Sequence, residues 1–400
     1  MQEKFYLTEK LPPYIFAKIY DLKKEAIANG LDIIDFGMGN PDSAPPTETI
    51  AELSRLVLDP SLYGYSVTGG VDRLKKAICA YYHNNFDVEL DYQTESMVTI
   101  GSKEGIASLA TAIADSDNYI CVPSPSYPIH TFAFDIAKSK VVHIEAIKPE
   151  DFLMQFKSFV ENASHKPIAV IVSYPCNPTT ETASIVFYQE LVKFCTLHKI
   201  YIISDIAYCE IYFSAEDKPS SILQVAGAKD IAIEFSSVSK SFCLAGTRVG
   251  FACGNKNLIN ALFKIKSYLD YGSFTPLQLI AAKTLENNNQ QYLEKLRKTY
   301  DDRGNFLIET FKKYLDWEIE KPKTSMFIWT KLPKFATSKD GQMLSSFEFC
   351  KELILKAGIA FSPGSSFGKN GDGFIRISLI VNEERIIEAV KRIAKIYLAK

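Results

Sequence analysis

Short apolar runs alternate with longer amphipathic stretches through the middle of the chain. Residues 96–100, 118–122, 169–173, 200–204, 231–236 and 249–253 are brief and rich in apolar, often β-branched side chains, the pattern of buried strands. Between several of them, residues 102–114 and 185–198 place apolar side chains at three- and four-residue steps, the period of a helix with one buried face. This alternation predicts an α/β fold: a mainly parallel sheet sandwiched by helices, with ligands gathered beyond the carboxyl ends of the strands. Further on come a long helical run at 277–314, strands at 326–331 and 374–379, and an amphipathic last helix at 383–397. These predict a smaller α+β domain. The expected division is 1–47 as an N-terminal arm and part of the small domain, 48–285 as the large domain and 286–400 as the small C-terminal domain. Within the first segment, residues 10–13 read as an ordered arm.

Composition narrows the class. A hydrophobic content of 47% over 400 residues supports a large core. The formal net charge of -2, with Lys and Glu scattered along the chain, argues against nucleic acid or an anionic membrane as partner. No apolar stretch reaches the length of a membrane span, and the first ten residues lack a signal-peptide layout, so the expected location is cytoplasmic. The eight cysteines form no Cys-x-x-Cys pair and sit mostly in apolar surroundings, which favours buried reduced thiols over a zinc site. No metal is expected.

The chemistry concentrates at strand ends. Residues 237–250 set Lys240 among Ser237 and Ser239, with Gly246 and Arg248 at fixed offsets. A lysine that forms an imine with an aldehyde needs the groups holding the aldehyde's carrier beside it. Two hydroxyls and a guanidinium near one amine suit a phosphate, although a solvated lysine in a Ser-rich turn has the same letters. Gly101-Ser102-Lys103-Glu104-Gly105 follows a strand and opens a helix. That is the form of an anion site, or of a simple turn with Ser102 as the cap. Asn177, Asp205 and Tyr208 follow neighbouring strands toward the same rim. For a pyridine-aldehyde cofactor, a buried carboxylate keeps the ring nitrogen protonated and donors on the phenolic oxygen lower the imine pKa. Asp205 also suits a helix N-cap. Tyr127 fits either a core aromatic or a stacking platform.

On these residues the chain resembles the class I/II aminotransferases of the fold type I pyridoxal-phosphate superfamily, along nearly its whole length. The segments that carry the likeness are Met38-Gly-Asn-Pro-Asp42, Tyr65 with Gly69-Gly70, Asn177-Pro-Thr, Asp205-Ile-Ala-Tyr208, Ser237-Val-Ser-Lys240 through Arg248, and Phe374-Ile-Arg-Ile-Ser378. The resemblance implies pyridoxal 5'-phosphate as cofactor, with Lys240 bonding its aldehyde and carrying the substrate Cα proton. It implies Asp205 at the ring nitrogen, Asn177 and Tyr208 at the phenolic oxygen, and Tyr127 stacked on the ring. Ser102, Lys103, Ser237, Ser239 and Arg248 would hold the phosphate. Tyr65 would reach the phosphate of a neighbouring subunit, so a homodimer with shared active sites is implied. Arg376 would bind the substrate α-carboxylate, with Asn177 and the backbone of Gly39. The chain has only eight arginines, which makes an arginine at a motif position the more telling.

Two departures concern substrate shape. Cys243 and Thr247 stand where close relatives more often have an amide and an aromatic residue, and residues 268–276 contain no arginine for a distal carboxylate. Within the family the chain looks closest to bacterial alanine:2-oxoglutarate aminotransferases, with LL-diaminopimelate aminotransferases as neighbours. The expected activity is therefore ping-pong transfer of an amino group from an L-amino acid, alanine or glutamate first, to a 2-oxo acid. Aspartate, aromatic and LL-diaminopimelate aminotransferases are alternatives, as is a carbon–sulfur β-lyase using the same cofactor. A cofactor-binding regulator without turnover would carry an added DNA-binding domain with a basic helix, and none is legible.

Overall fold

The computed structural model describes residues 5–398 apart from Tyr6, Thr8, Lys10, Pro13, Asn288 and Lys339. Among these residues the strands are β1 (Ile34–Asp35), β2 (Ser96–Thr99), β3 (Tyr119–Ser124), β4 (Lys140–Glu145), β5 (Ala169–Ser173), β6 (Tyr201–Asp205), β7 (Ala232–Ser237), β8 (Gly250–Gly254), β9 (Phe327–Lys331), β10 (Ile359–Ala360), β11 (Ser362–Pro363) and β12 (Phe374–Ser378). Seven of them form one sheet in the order β2-β8-β7-β6-β5-β3-β4. Its pairs are parallel except those of β8, which runs against both β2 and β7.

The near-continuous apolar runs follow from burial on both faces. Every residue of β2, β3, β5, β7 and β8 is buried, as expected where helices cover both sides of a sheet. Alternate residues serve opposite cores. Cys121, Val170, Val172 and Ile202 join the helices Asp72–Phe86 and Ile185–His198 in one apolar cluster, whereas Ile120, Ile171, Ile203 and Ile233 join Ser102–Ile113 and Lys256–Leu269 in the other. A third cluster gathers Phe36 from beside β1, Phe311 and Trp317, the β9 and β12 residues Phe327, Ile328, Ile375 and Ile377, and Ile386 and Ile393 of the last helix. Around it lie the antiparallel β11-β12-β9 sheet and the parallel β1-β10 pair. No described helix is long and apolar enough to cross a membrane.

Several local expectations shift. β6 and β7 run one residue further than their apolar patterns, so Asp205 and Ser237 are the last strand residues rather than the first loop residues. The ladder uses backbone groups, and a polar side chain at the carboxyl edge does not disturb it. The 277–314 run is two helices, Thr275–Glu286 and Gln290–Leu315. The Asn289 side-chain amide donates to the Thr284 carbonyl at 2.6 Å, competing with the helical backbone pattern at the break. In the arm, Leu11, Pro12 and Tyr14 line one cavity with Tyr127, Ile129 and Phe132, while Lys10 and Pro13 of the expected ordered segment lie outside the described residues.

The antiparallel course of β8 brings its first residue, Gly250, against the turn that follows β2. A Cβ there would stand 2.5 Å from the Ser102 backbone nitrogen and 2.6 Å from the Gly101 carbonyl carbon. Neither is a flexible side chain that could yield. Gly250→Ala should therefore destabilise the protein by about 1–3 kcal/mol, as overpacking does. Urea unfolding of the full chain checks this, and an unchanged midpoint would contradict the tight approach.

Candidate active site

β2, β3, β5, β6 and β7 all end at one rim, and the loops beyond them enclose a cavity of about 400 Å³. Ser173 and Asp205 reach it from the last positions of β5 and β6, and Ser237 from the last position of β7. Lys240 lies three residues on, in the short helix Val238–Ser241. The chain then turns through Arg248, held at a left-handed φ of 55°, into β8. Gly39 and Arg376 also line it, Arg376 between the third-cluster residues Ile375 and Ile377 on β12.

Twelve of the thirteen candidate site residues line this cavity: Gly39, Ser102, Lys103, Tyr127, Asn177, Asp205, Tyr208, Ser237, Ser239, Lys240, Arg248 and Arg376. Tyr65 does not; it is 90% exposed and packs its ring 4.9 Å from that of Tyr271. Cys243 and Thr247 also lie outside the lining, and the Thr247 hydroxyl donates to the Leu244 carbonyl at 2.7 Å.

Lys240 donates its ammonium to the Gly39 carbonyl. Burial, reinforced by the charges of Arg376 and Arg248, lowers its pKa to about 8, so roughly a tenth is neutral amine at pH 7, far more than for an ordinary lysine. The Asp205 carboxylate is buried and divided between two tasks. One oxygen accepts the Ala207 backbone N–H at 3.1 Å, a local turn contact rather than the helix N-cap its position suited, because a turn and no helix follows β6. The other faces His130 Nε2 at 3.1 Å, and His130 Nδ1 lies 2.8 Å from the Ser126 hydroxyl. This dyad holds the carboxylate's orientation. Tyr208 bonds the Asn177 side chain, and burial holds its phenol above the ordinary range. Burial also raises the Tyr127 phenol to about 12, so it stays neutral.

Arg376 is 4% exposed and has only uncharged acceptors. Nη1 donates to Asn177 Oδ1 at 2.7 Å, and Nη2 donates to the Gly37 carbonyl at 2.9 Å and to the Ser362 hydroxyl at 3.2 Å. Its Nε is buried without a hydrogen-bond partner among the described residues. The guanidinium lies 4.1 Å over the Phe327 ring, and burial lowers its pKa to about 10. A buried cation held by dipoles alone, at the wall of a cavity, is suited to receive a carboxylate.

At the other end of the cavity the helix Ser102–Ile113 points its first turn inward. Gly101 is the N-cap at φ 81° with no side-chain cap, so Ser102 is not spent on capping. A Cβ on Gly101 would stand 2.3 Å from Arg248 Nη2. Unsatisfied helix N–H groups, two serines and a close arginine form a cradle of the right chemistry for a phosphate. The donor set fits pyridoxal phosphate: Lys240 for an aldehyde, Asp205 for a ring nitrogen, Asn177 and Tyr208 for a phenolic oxygen, and this cradle for the phosphate.

The sequence reading had missed His130, Tyr14, Phe16, Asn40 and Ser362. Tyr14, Phe16 and Asn40 line the cavity from the N-terminal part of the chain, and Ser362 meets Arg376. His130 carries no motif of its own. Its place three residues after Tyr127 in a helix start is the one available signal.

The family model for aminotransferase class I and II matches residues 31–393. The glutamate-pyruvate aminotransferase AlaC of Escherichia coli (strain K12) is 38% identical over 100% of this chain and 95% of its own length. An LL-diaminopimelate aminotransferase of Natranaerobius thermophilus is 37% identical, over 97% of each chain. Among solved structures, substrate-bound BacF from Bacillus subtilis superposes with a TM-score of 0.89 at 29% identity, covering 99% of this chain and 98% of that one. A match along nearly the whole length joins the rim geometry to one lineage, a pyridoxal-phosphate-using one: the chain belongs to the class I and II aminotransferases.

Proposed function

We propose that this chain exchanges an amino group between L-alanine with pyruvate and glutamate with 2-oxoglutarate, by a ping-pong use of one site. The observation that carries the reading is the pairing, within one cavity, of a lysine lowered to about 8 with a buried arginine that has only neutral acceptors. When bound, pyridoxal phosphate supplies an electron sink and a store for the amino group between half-reactions. Asp205, steadied by His130, would hold a proton on the ring nitrogen of the bound cofactor. Arg376 and Asn177 fix the plane of the substrate α-carboxylate, which orients the Cα–H bond toward Lys240. Lys240, as neutral amine, removes that proton and returns it on the far side of the reaction. Ser102, Ser237, Ser239, Lys103 and Arg248 anchor the phosphate.

The substrate pair is supported by the absence of an arginine from 268–276 and by the likeness to AlaC. The described arginines outside the cavity all face acidic side chains: Arg55 with Glu52, Arg73 with Glu286, Arg297 with Glu210, Arg303 with Asp42, and Arg385 and Arg392 with Asp32. We further propose a cytosolic homodimer, with residues 1–47 and 286–400 as one domain against 48–285. The exposed rings of Tyr65 and Tyr271, packed 4.9 Å apart, offer an apolar surface to a second copy, from which Tyr65 would enter the neighbouring site.

Three outcomes test this. Alanine or glutamate added to the purified protein should convert the absorbance band of the lysine-bound cofactor to that of the aminated cofactor, and 2-oxoglutarate should restore it. Pyruvate release from cystathionine, with no response to alanine, would instead assign a β-lyase. Arg376→Ala should reduce kcat/KM for amino and oxo acids alike by about a hundredfold or more, because it removes a buried charge contact. Finally, Lys240 gains reactivity as it loses its proton. The rate of cofactor loading onto the cofactor-free protein should therefore rise about tenfold from pH 7 to pH 9 and flatten above pH 8, where an ordinary lysine would keep rising.

A further inference from the structure

Lys266 is a buried cation outside the cavity. It lies in the helix Lys256–Leu269 with its side chain fully buried, and it donates to Glu104 Oε1 at 2.9 Å and to Asp270 Oδ2 at 2.7 Å. A buried ammonium is costly unless it is paired, so an apolar residue would serve this position better if packing were its only role. What it holds is informative. Glu104 sits in the first turn of the helix whose start forms the phosphate cradle, and Oε2 of the same carboxylate accepts the Ile100 backbone N–H at 2.8 Å. The Ser108 hydroxyl donates to Oε1 at 2.6 Å. The Ile100 carbonyl in turn faces Arg248 Nη2 at 3.4 Å. One residue of the cradle turn is thus gripped on both sides: its N–H by the carboxylate that Lys266 fixes, its carbonyl by the arginine that meets the phosphate.

We propose that Lys266 is a positioning residue for cofactor phosphate binding, acting through Glu104 on the Ile100–Ser102 turn. The inference rests on the assignment of that turn to the phosphate. Lys266 does not touch the cofactor. It pins a carboxylate that would otherwise have several rotamers near an anion site, and so keeps the Gly101 and Ser102 backbone aimed at the phosphate. It also neutralises that carboxylate, whose charge would oppose the incoming phosphate at the helix start. On its other side, Asp270 accepts the Gly272 N–H at 2.7 Å and the Asp270 carbonyl accepts the Thr68 hydroxyl at 3.1 Å. The same ammonium therefore ties the cradle to the two loops that carry Tyr65 and Tyr271.

The test compares two probes, pyridoxal phosphate and pyridoxal, on the cofactor-free full chain by absorbance titration. Both report the Lys240 site, and only one has a phosphate. Wild type should bind pyridoxal phosphate far more tightly. Equal affinities there would overturn the phosphate assignment itself, and the inference with it. Given that difference, Lys266→Met should weaken pyridoxal phosphate binding on the order of tenfold while leaving pyridoxal binding unchanged. Lys266→Arg, which keeps the charge, should recover part of the loss. Glu104→Gln should show the same phosphate-selective loss, and the double variant should lose no more than the larger single loss, because the two act in one chain of contacts. Glu104→Gln carries the test alone if Lys266→Met does not fold. Equal losses for both probes, no loss for either, or additive losses would overturn the proposal.

Discussion

Like charges crowded into one small space are the constraint around which this protein is arranged. Lys240, Arg248 and Arg376 converge on one cavity, with Asp205 as the single carboxylate lining it among the described residues. Such a cluster opposes its own assembly, and at Lys240 that repulsion adds to burial in lowering the pKa. The fold meets it by scaffold rigidity. Each of these three is fixed by a different element: a short helix at the end of β7, a left-handed residue before β8, and β12 of the three-stranded sheet. Neutral acceptors hold Arg376, and carbonyls hold both Lys240 and Arg248. Positive charge is thereby confined without being cancelled. A cavity so charged suits occupants that are anionic at both ends, as a phosphate toward Arg248 and a carboxylate toward Arg376 would be.

Much of this was legible because the chemistry is local to strand ends. Asp205 and Ser237 end apolar strands, Ser102 and Lys240 follow closely, and the rule that ligands lie beyond carboxyl ends brings them together without knowledge of the packing. Long-range arrangements were not legible. Nothing in the letters says that His130 faces Asp205 across 75 residues, or that Gly37, Asn177 and Ser362 share one guanidinium. Tyr14 and Phe16 enter the cavity because the helix Ile15–Ala28 packs Ile19 and Ala26 into the third cluster, a contact that no periodicity encodes.

The sheet shows the same division. Buried parallel strands advertise themselves by unbroken apolar runs. β4 does not, because it is an edge strand whose residues are mostly exposed or half-buried, and its Lys-Val-Val-His-Ile-Glu sequence alternates poorly. The reversed direction of β8 is likewise silent in composition: Gly-Phe-Ala-Cys-Gly would serve either polarity. Direction is set by the connection: the twelve residues between β7 and β8 form two short helical turns at the rim instead of a crossover helix covering the sheet.

That reversal has a consequence for how ligand size is read. Since β7 and β8 are antiparallel neighbours, the amine of Lys240 and the guanidinium of Arg248 are carried by one loop whose two ends are clamped to adjacent strands at Ser237 and Gly250. The distance between an aldehyde and a phosphate on one molecule is thus gauged by a single stretch of backbone. A strand-to-strand loop of this kind acts as a caliper with a fixed gap, set by the β7–β8 pairing alone and not by the elements that carry Gly39 and Arg376.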